Sequence, residues 1–256
     1  MATRHQRRLD ELRQEALDAA RGLSRGESAL VGALRDLEHE RSRAAQAYRA
    51  VVRSLAAALE ARDGYTGEHS DAVHSLSVAV ARKLGLYARE VAEVEAVALL
   101  HDVGKIGIPD QILHKPGPLT PDEWVLMREH PVIGERILRP LPGLSEVATA
   151  ARHEHERWDG RGYPDGISGE DIPLASRIVL TCDAYNALVS DRPYRKRLSD
   201  ATAVAELRRC AGTQFDPRLA EAFLRTSPDA LRELLRNHQE KSKRLLDMQE
   251  TLRTAK

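Results

Sequence analysis

The stretch Leu99-Leu100-His101-Asp102-Val103-Gly104-Lys105-Ile106-Gly107 decides how the chain is read. An apolar helical run carries a His-Asp pair at its end, a glycine breaks the helix, and Lys105 follows. Imidazole and carboxylate both ligate divalent metals, and adjacent residues can chelate one ion or bridge two. Lys105 sets an ammonium within reach of an anion held at such a metal. Taken alone, the stretch also reads as a helix C-terminus, with His101 complementing the dipole and Gly104 capping. The choice depends on whether the rest of the chain supplies further ligands.

Composition limits the function classes. The 256 residues suffice for one large domain, or for one domain with an extension. Lys+Arg and Asp+Glu balance at 39 each, so global charge points to neither a nucleic acid polymer nor an anionic membrane. Residues 1–12 are Arg- and Glu-rich with no apolar centre, unlike a signal peptide. No run approaches the roughly 20 apolar residues that span a bilayer. Cys182 and Cys210 follow no metal or disulfide spacing. Few aromatics and scarce alternation predict an all-α protein, and the cysteine usage, with no signal-peptide or membrane-span pattern, leads to the expectation of a cytoplasmic one.

Outward from the central stretch, residues 1–52 form a first region. Leu9, Leu12, Ala16, Ala19, Leu23, Gly26, Leu30, Ala33, Leu37, Glu40, Ala44, Ala47 and Val51 step by three and four, a coiled-coil seam. The expectation is a dimerising helix, with a helix lying on its own domain as the alternative, softened and most easily broken around Gly22, Gly26 and Gly32. Residues 53–227 form a second region. In it His69, Val73, Leu76, Val80 and Leu84 share one helical face, and Gly85 is placed to cap that helix. The next helix, about 88–103, turns His101 inward. A helix opening at Pro121 carries Trp124, Met127 and His130, and Pro131 starts a new turn or helix. A helix over 143–153 leads into the glycine-rich loop from Arg157 to Gly166. A buried helix over 174–191 carries Asp183, a carboxylate that is costly there without a partner or a metal. Shorter helices follow over 201–210 and 216–226. Residues 228–256 form a third region, a second heptad expected to pair with the first.

Six inward candidates thus stand on separate segments: His69, His101, Asp102, His130, His155 and Asp183. This mixture suits two adjacent divalent transition metals, iron, manganese or zinc, better than magnesium. Asp102 is the natural bridge.

Residues 59–226 closely resemble the HD-GYP family. The matching runs are Tyr65-Thr66-Gly67-Glu68-His69-Ser70, His101 to Asp110, His130-Pro131, His155 to Gly166, Ser190 to Arg195, and Gly212 to Pro217. The resemblance implies an HD-domain helical bundle flanked by an N-terminal coiled-coil-like helix and a C-terminal helix. It implies a phosphodiesterase that opens cyclic di-GMP to pGpG, in some members onward to GMP. It implies metal ligation by the six inward residues and contacts from Lys105, Arg192 and Arg195 to substrate phosphate or guanine. Asp102 and Lys105 are then the catalytic pair. Gly162-Tyr163-Pro164 is the signature loop, associated with substrate access and with GGDEF-domain partners. Two metals, iron or manganese ahead of zinc, are expected to activate a water that attacks phosphorus in line.

Three departures from the family pattern stand out. Glu154 occupies a position that is usually histidine; either it ligates through oxygen, hardening the site, or that ligand is lost. Tyr65 stands where some members have a carboxylate for a third metal, which favours two. Asn186 replaces a common Asp on the substrate face. Two rivals stay open: a hydrolase of another mono- or cyclic nucleotide, and a cyclic di-GMP receptor or docking module without turnover.

Overall fold

The computed structural model describes residues 2–63, 67–191 and 196–225; the side chain of His69 lies outside that description. Contacts divide the chain at Val51–Val52 into two units. Helix α1 (Ala2–Asp63) is continuous, so Gly22, Gly26 and Gly32 do not interrupt it. A glycine costs a helix interior about 1 kcal/mol, which a helix this long absorbs without breaking. In the first unit Leu30, Leu34 and Leu37 are 62, 52 and 56% exposed. The C-terminal heptad lies outside the described residues.

The second unit begins with the last turns of α1, where Val52, Ala56 and Leu59 are buried at helical spacing. The core is formed by α2 (Gly67–Lys83), α3 (Ala88–Leu100) and α8 (Leu174–Val189), which pack on one another. Their apolar stripes meet through Val73, Leu76, Val97, Leu100, Ile178 and Cys182, all fully enclosed. Truncating one such leucine to alanine typically costs about 2–5 kcal/mol. Gly85 ends α2 at φ +75°, with the Leu86 N–H donating back to the Ala81 carbonyl at 3.2 Å. Helix α7 (Ser145–Arg152) lies against α3 and α8, and the Ser176 hydroxyl donates to the Ala150 carbonyl at 2.7 Å. Helices α9 (Asp200–Cys210) and α10 (Pro217–Leu224) pack on α8, with the Tyr185 and Phe223 rings 4.8 Å apart. The fold is all-α, with no β-strand among the described residues.

Three short helices complete the unit: α4 (Asp110–Leu113), α5 (Pro121–Met127) and α6 (His130–Leu138). Helix α5 opens on a reciprocal cap between Thr120 and Glu123. It stops at Met127, and His130 opens α6 with Pro131 in its first turn, where a missing N–H costs nothing.

The end of α3 differs from expectation. The helix stops at Leu100, and Asp102 takes φ −91°, ψ 1° before a 3-10 turn over Val103–Gly107. Gly104 is therefore not the cap. A Cβ there would fall 1.8 Å from the His130 carbonyl oxygen and 2.5 Å from the Gly134 nitrogen. Only a bare Cα lets the turn seat on the start of α6, and that contact brings Asp102 to His130.

Candidate metal centre

Asp102, His130 and His155 each offer a ligand atom, and these atoms lie within 4.8 Å of one another. Asp102 Oδ1 is 3.6 Å from His130 Nε2, and the two imidazole Nε2 atoms are 3.0 Å apart. The other Asp102 oxygen, Oδ2, stands 3.4 Å from His101 Nε2 and accepts from Lys105 Nζ at 2.7 Å. Glu154 completes the group, with Oε2 at 2.9 Å from His155 Nε2.

The backbone orients the imidazoles. His101 Nδ1 lies 2.9 Å from the Ala98 carbonyl, and His130 Nδ1 lies 2.8 Å from that of Met127. A carbonyl can only accept, so Nδ1 carries the proton in both rings. Each Nε2 is then turned toward the carboxylates, as in metal sites whose second ring nitrogen is anchored.

The electrostatics favour a cation. Burial alone would depress His101, but the charge and hydrogen bond of Asp102 outweigh it, helped by Glu154 and Asp183, and raise the imidazole to about 10. His155 is likewise raised, with Glu154 overcoming burial. Burial takes His130 down to about 4, with His155 and Lys105 adding to it against Asp102. Burial opposes ionisation of Asp102, yet Lys105, His101 and His130 hold it well below the usual carboxylate range. Glu154 is the sharpest observation: it is 1% exposed, and its carboxylate faces His155 Nε2 at 2.9 Å, with no backbone or hydroxyl donor on either oxygen among the described residues. A buried carboxylate costs several kcal/mol unless a cation meets it, here the charged His155 imidazole or a metal ion in place of its proton. The donor set therefore fits divalent metal.

The other expected residues fall in three groups. Asp183 on α8 lies close enough for its charge to act on both His101 and His155. Asn186 is buried on the same helix, its amide oxygen 3.3 Å from the Ser190 hydroxyl. His69 belongs to α2 by its backbone, while Tyr65, Arg192 and Arg195 lie outside the described residues.

The signature loop folds back onto the cluster. A Cβ on Gly162 would fall 2.4 Å from the Arg157 nitrogen and from Glu156 Cα, so glycine alone permits the approach. The Tyr163 N–H donates to the His155 carbonyl at 3.3 Å, and its ring stacks on His155 at 4.9 Å and 17°. Pro164 follows through a cis peptide bond. Residues not singled out from sequence hold this shape. Glu156 is buried and accepts from the Asp165 and Gly166 N–H groups at 2.6 and 2.9 Å. Arg152 grips Asp165 through two nitrogens at 2.7 and 2.8 Å and reaches Glu135 at 2.7 Å. His153 Nε2 also meets Asp165, at 2.8 Å. At the base of the loop, the Trp158 and Asp159 N–H groups donate to the Gln214 and Thr213 carbonyls. A buried Arg177–Asp216 pair at 2.8 Å braces that junction, with Arg177 over the Trp158 ring. The glycines and charges of 152–166 were visible in sequence, but which carboxylate faced the loop was not.

Fold and site together define an all-helical domain built around a cluster of imidazole and carboxylate that suits a divalent cation. The model for the family described as HD domain matches residues 38–219. The chain belongs to the HD domain family, and the HD-GYP resemblance of its motifs stands. The cyclic di-GMP phosphodiesterase response regulator RpfG of Xanthomonas campestris is 44% identical over 69% of this chain and 47% of its own. The 3'3'-cGAMP-specific phosphodiesterase 2 of Vibrio cholerae is 41% identical over 68% of this chain and 34% of its own. The chain thus spans about half, or less, of the length of these relatives. In fold it is similar to a cyclic GMP-AMP specific phosphodiesterase of V. cholerae (V-cGAP3): TM-score 0.57, 22% identity, 77% of this chain and 52% of that one.

Proposed function

We propose that this chain is a metal-dependent phosphodiesterase that hydrolyses cyclic di-GMP to pGpG, in the reducing cytoplasm that its two free, buried cysteines suit. The observation that carries the reading is the convergence of Asp102, His130 and His155 with the buried Glu154 carboxylate, beside the Lys105 ammonium. Relatives named for this reaction support the substrate.

His69, His101, Asp102, His130, Glu154, His155 and Asp183 would hold two divalent ions, iron or manganese ahead of zinc, because oxygen donors join the imidazoles. When bound, such ions stabilise charge on a phosphoryl group and acidify water. The protein's own contribution is positional. Asp102 turns its two oxygens toward different imidazoles, which suits a bridging carboxylate. Lys105 supplies a fixed positive charge for a non-bridging phosphate oxygen; loss of one such donor typically lowers kcat by about 10²–10³. Arg192 and Arg195 would contact phosphate or guanine, and Asn186 would shape the wall behind them. Tyr163, stacked on His155, shields one side of the cluster from water. The stripe of exposed leucines on α1 supports pairing of two copies through the N-terminal helices, and the Gly162-Tyr163-Pro164 loop offers a surface to a GGDEF-domain partner.

The test is anaerobic purification with metal analysis, then incubation with cyclic di-GMP and added manganese or iron, with products resolved by chromatography. Two metal equivalents and pGpG are expected. Binding without cleavage under those conditions would make the chain a receptor. A second substrate reading, 3'3'-cGAMP, is favoured by the relative named for it and is decided by running both dinucleotides side by side.

A further inference from the structure

Arg128 is held differently from the paired arginines near it. It follows the last turn of α5, two residues before His130, and is exposed. Its guanidinium carbon lies 5.9 Å from the centre of the Trp124 ring and 5.2 Å from that of Tyr163. Both distances fall within the roughly 6 Å over which a ring face attracts a cation. Nearby, Arg152 is committed to Glu135 and Asp165, Arg157 to Asp159, and Arg177 to Asp216. No described carboxylate pairs with Arg128, and no described residue accepts a hydrogen bond from its side chain. Ring faces hold the guanidinium plane in place while using none of its N–H donors.

The position of this cation is informative. Tyr163 stacks on His155, and His155 belongs to the ligand cluster, so Arg128 stands two ring layers away from the candidate metals. That is too far to share the phosphate under attack, yet close enough for the remainder of a molecule wider than a mononucleotide.

We propose that Arg128 binds the half of a cyclic dinucleotide that is not being cleaved, through a two-acceptor edge. A phosphodiester offers such an edge in its non-bridging oxygens, and guanine offers one in O6 and N7. The inference rests on the phosphodiesterase reading above and adds to it a residue that sets substrate size and base preference.

The test compares wild type with Arg128→Gln and Arg128→Lys on cyclic di-GMP, cyclic di-AMP and bis(p-nitrophenyl) phosphate, a minimal diester with no second half. Loss of a charge-assisted two-point contact should raise KM for cyclic di-GMP about 10- to 100-fold in Arg128→Gln, with a much smaller effect on kcat. KM for the minimal diester should move at least tenfold less. Arg128→Lys, which keeps the charge and loses the fork, should fall between. An equal rise with cyclic di-AMP assigns the contact to phosphate, because adenine presents a donor beside N7. A rise confined to cyclic di-GMP assigns it to guanine. An unchanged KM, or equal losses on all three substrates, would overturn the proposal, the latter making Arg128 a support for Tyr163. Calorimetric titration of cyclic di-GMP keeps the two readings separable. Should wild type cleave no dinucleotide, tenfold weaker binding by Arg128→Gln still upholds the contact, whereas equal binding, or none by either protein, refutes it.

Discussion

Four consecutive residues, His153 to Glu156, point two ways, and the difference between the pairs separates chemistry from scaffold. Glu154 and His155 face the cluster, where the buried Glu154 carboxylate meets His155 Nε2 at 2.9 Å and the His130 and His155 Nε2 atoms crowd to 3.0 Å. His153 and Glu156 face the signature loop, where the His153 ring meets Asp165 and one Glu156 oxygen takes two backbone N–H groups. Burial is the same for both glutamates, 1% exposed each. What differs is the partner: one Glu156 oxygen takes backbone N–H groups of the loop, whereas Glu154 faces an imidazole of the candidate metal cluster.

The comparison breaks most decisively on the cluster side. Asp102→Ala removes the carboxylate that touches His101, His130 and Lys105 together. It should abolish hydrolysis of cyclic di-GMP and reduce bound metal below one equivalent, both read on the same sample. Folding should survive, because the helical core does not pass through this side chain. Retention of metal and activity would show that the cluster is not the reaction centre.

The all-helical fold could be read in advance because heptads and amphipathic stripes are local signals. Val73, Leu76 and Val80 on α2 lie in the core as their spacing predicts. The ligand cluster was legible only in part. His101 and Asp102 announce themselves as neighbours, but His130 meets them through the close seating of Gly104 on α6, a long-range fit with no periodicity. A glycine after a helix reads as a cap, and here sterics rather than φ explain it. The loop clamp was less visible still. Glu156 and Asp165 are ordinary charges in a charged chain until the turn between them closes. Arg128, one of many arginines, acquires meaning only when the Trp124 and Tyr163 rings both come within 6 Å of it.

On the scaffold side the expected losses concern shape before chemistry. Glu156→Ala leaves the Asp165 and Gly166 N–H groups without their acceptor. Hydrogen bonds to a charged group are worth about 1.5–3 kcal/mol each, less whatever water restores. The substitution should loosen the segment from 157 to 168, measured as faster amide exchange there. It should lower kcat/KM by about tenfold, as for loss of a group that orients a ligand. Metal content should stay at the wild-type value. Loss of metal in this variant would erase the distinction between the two glutamates.

The mildest lever is acid. The hydrogen bonds from Arg152, with His153 contributing against a small burial penalty, take Asp165 down to about 2. A carboxylate depressed on folding stabilises the folded state above its unfolded value, near 4, and that contribution is lost as pH falls toward 2. Asp165 is 35% exposed, so solvent screening limits the effect to about 1 kcal/mol or less. Comparing wild type with Asp165→Asn isolates it. Between pH 7 and 4 wild type should be the more stable by that small margin, and the gap should close between pH 4 and 2 as the carboxylate of the wild type protonates. A gap that instead persisted to pH 2 would mean that Arg152 and His153 hold the loop by shape rather than by charge, and the scaffold side would then owe its satisfaction to packing.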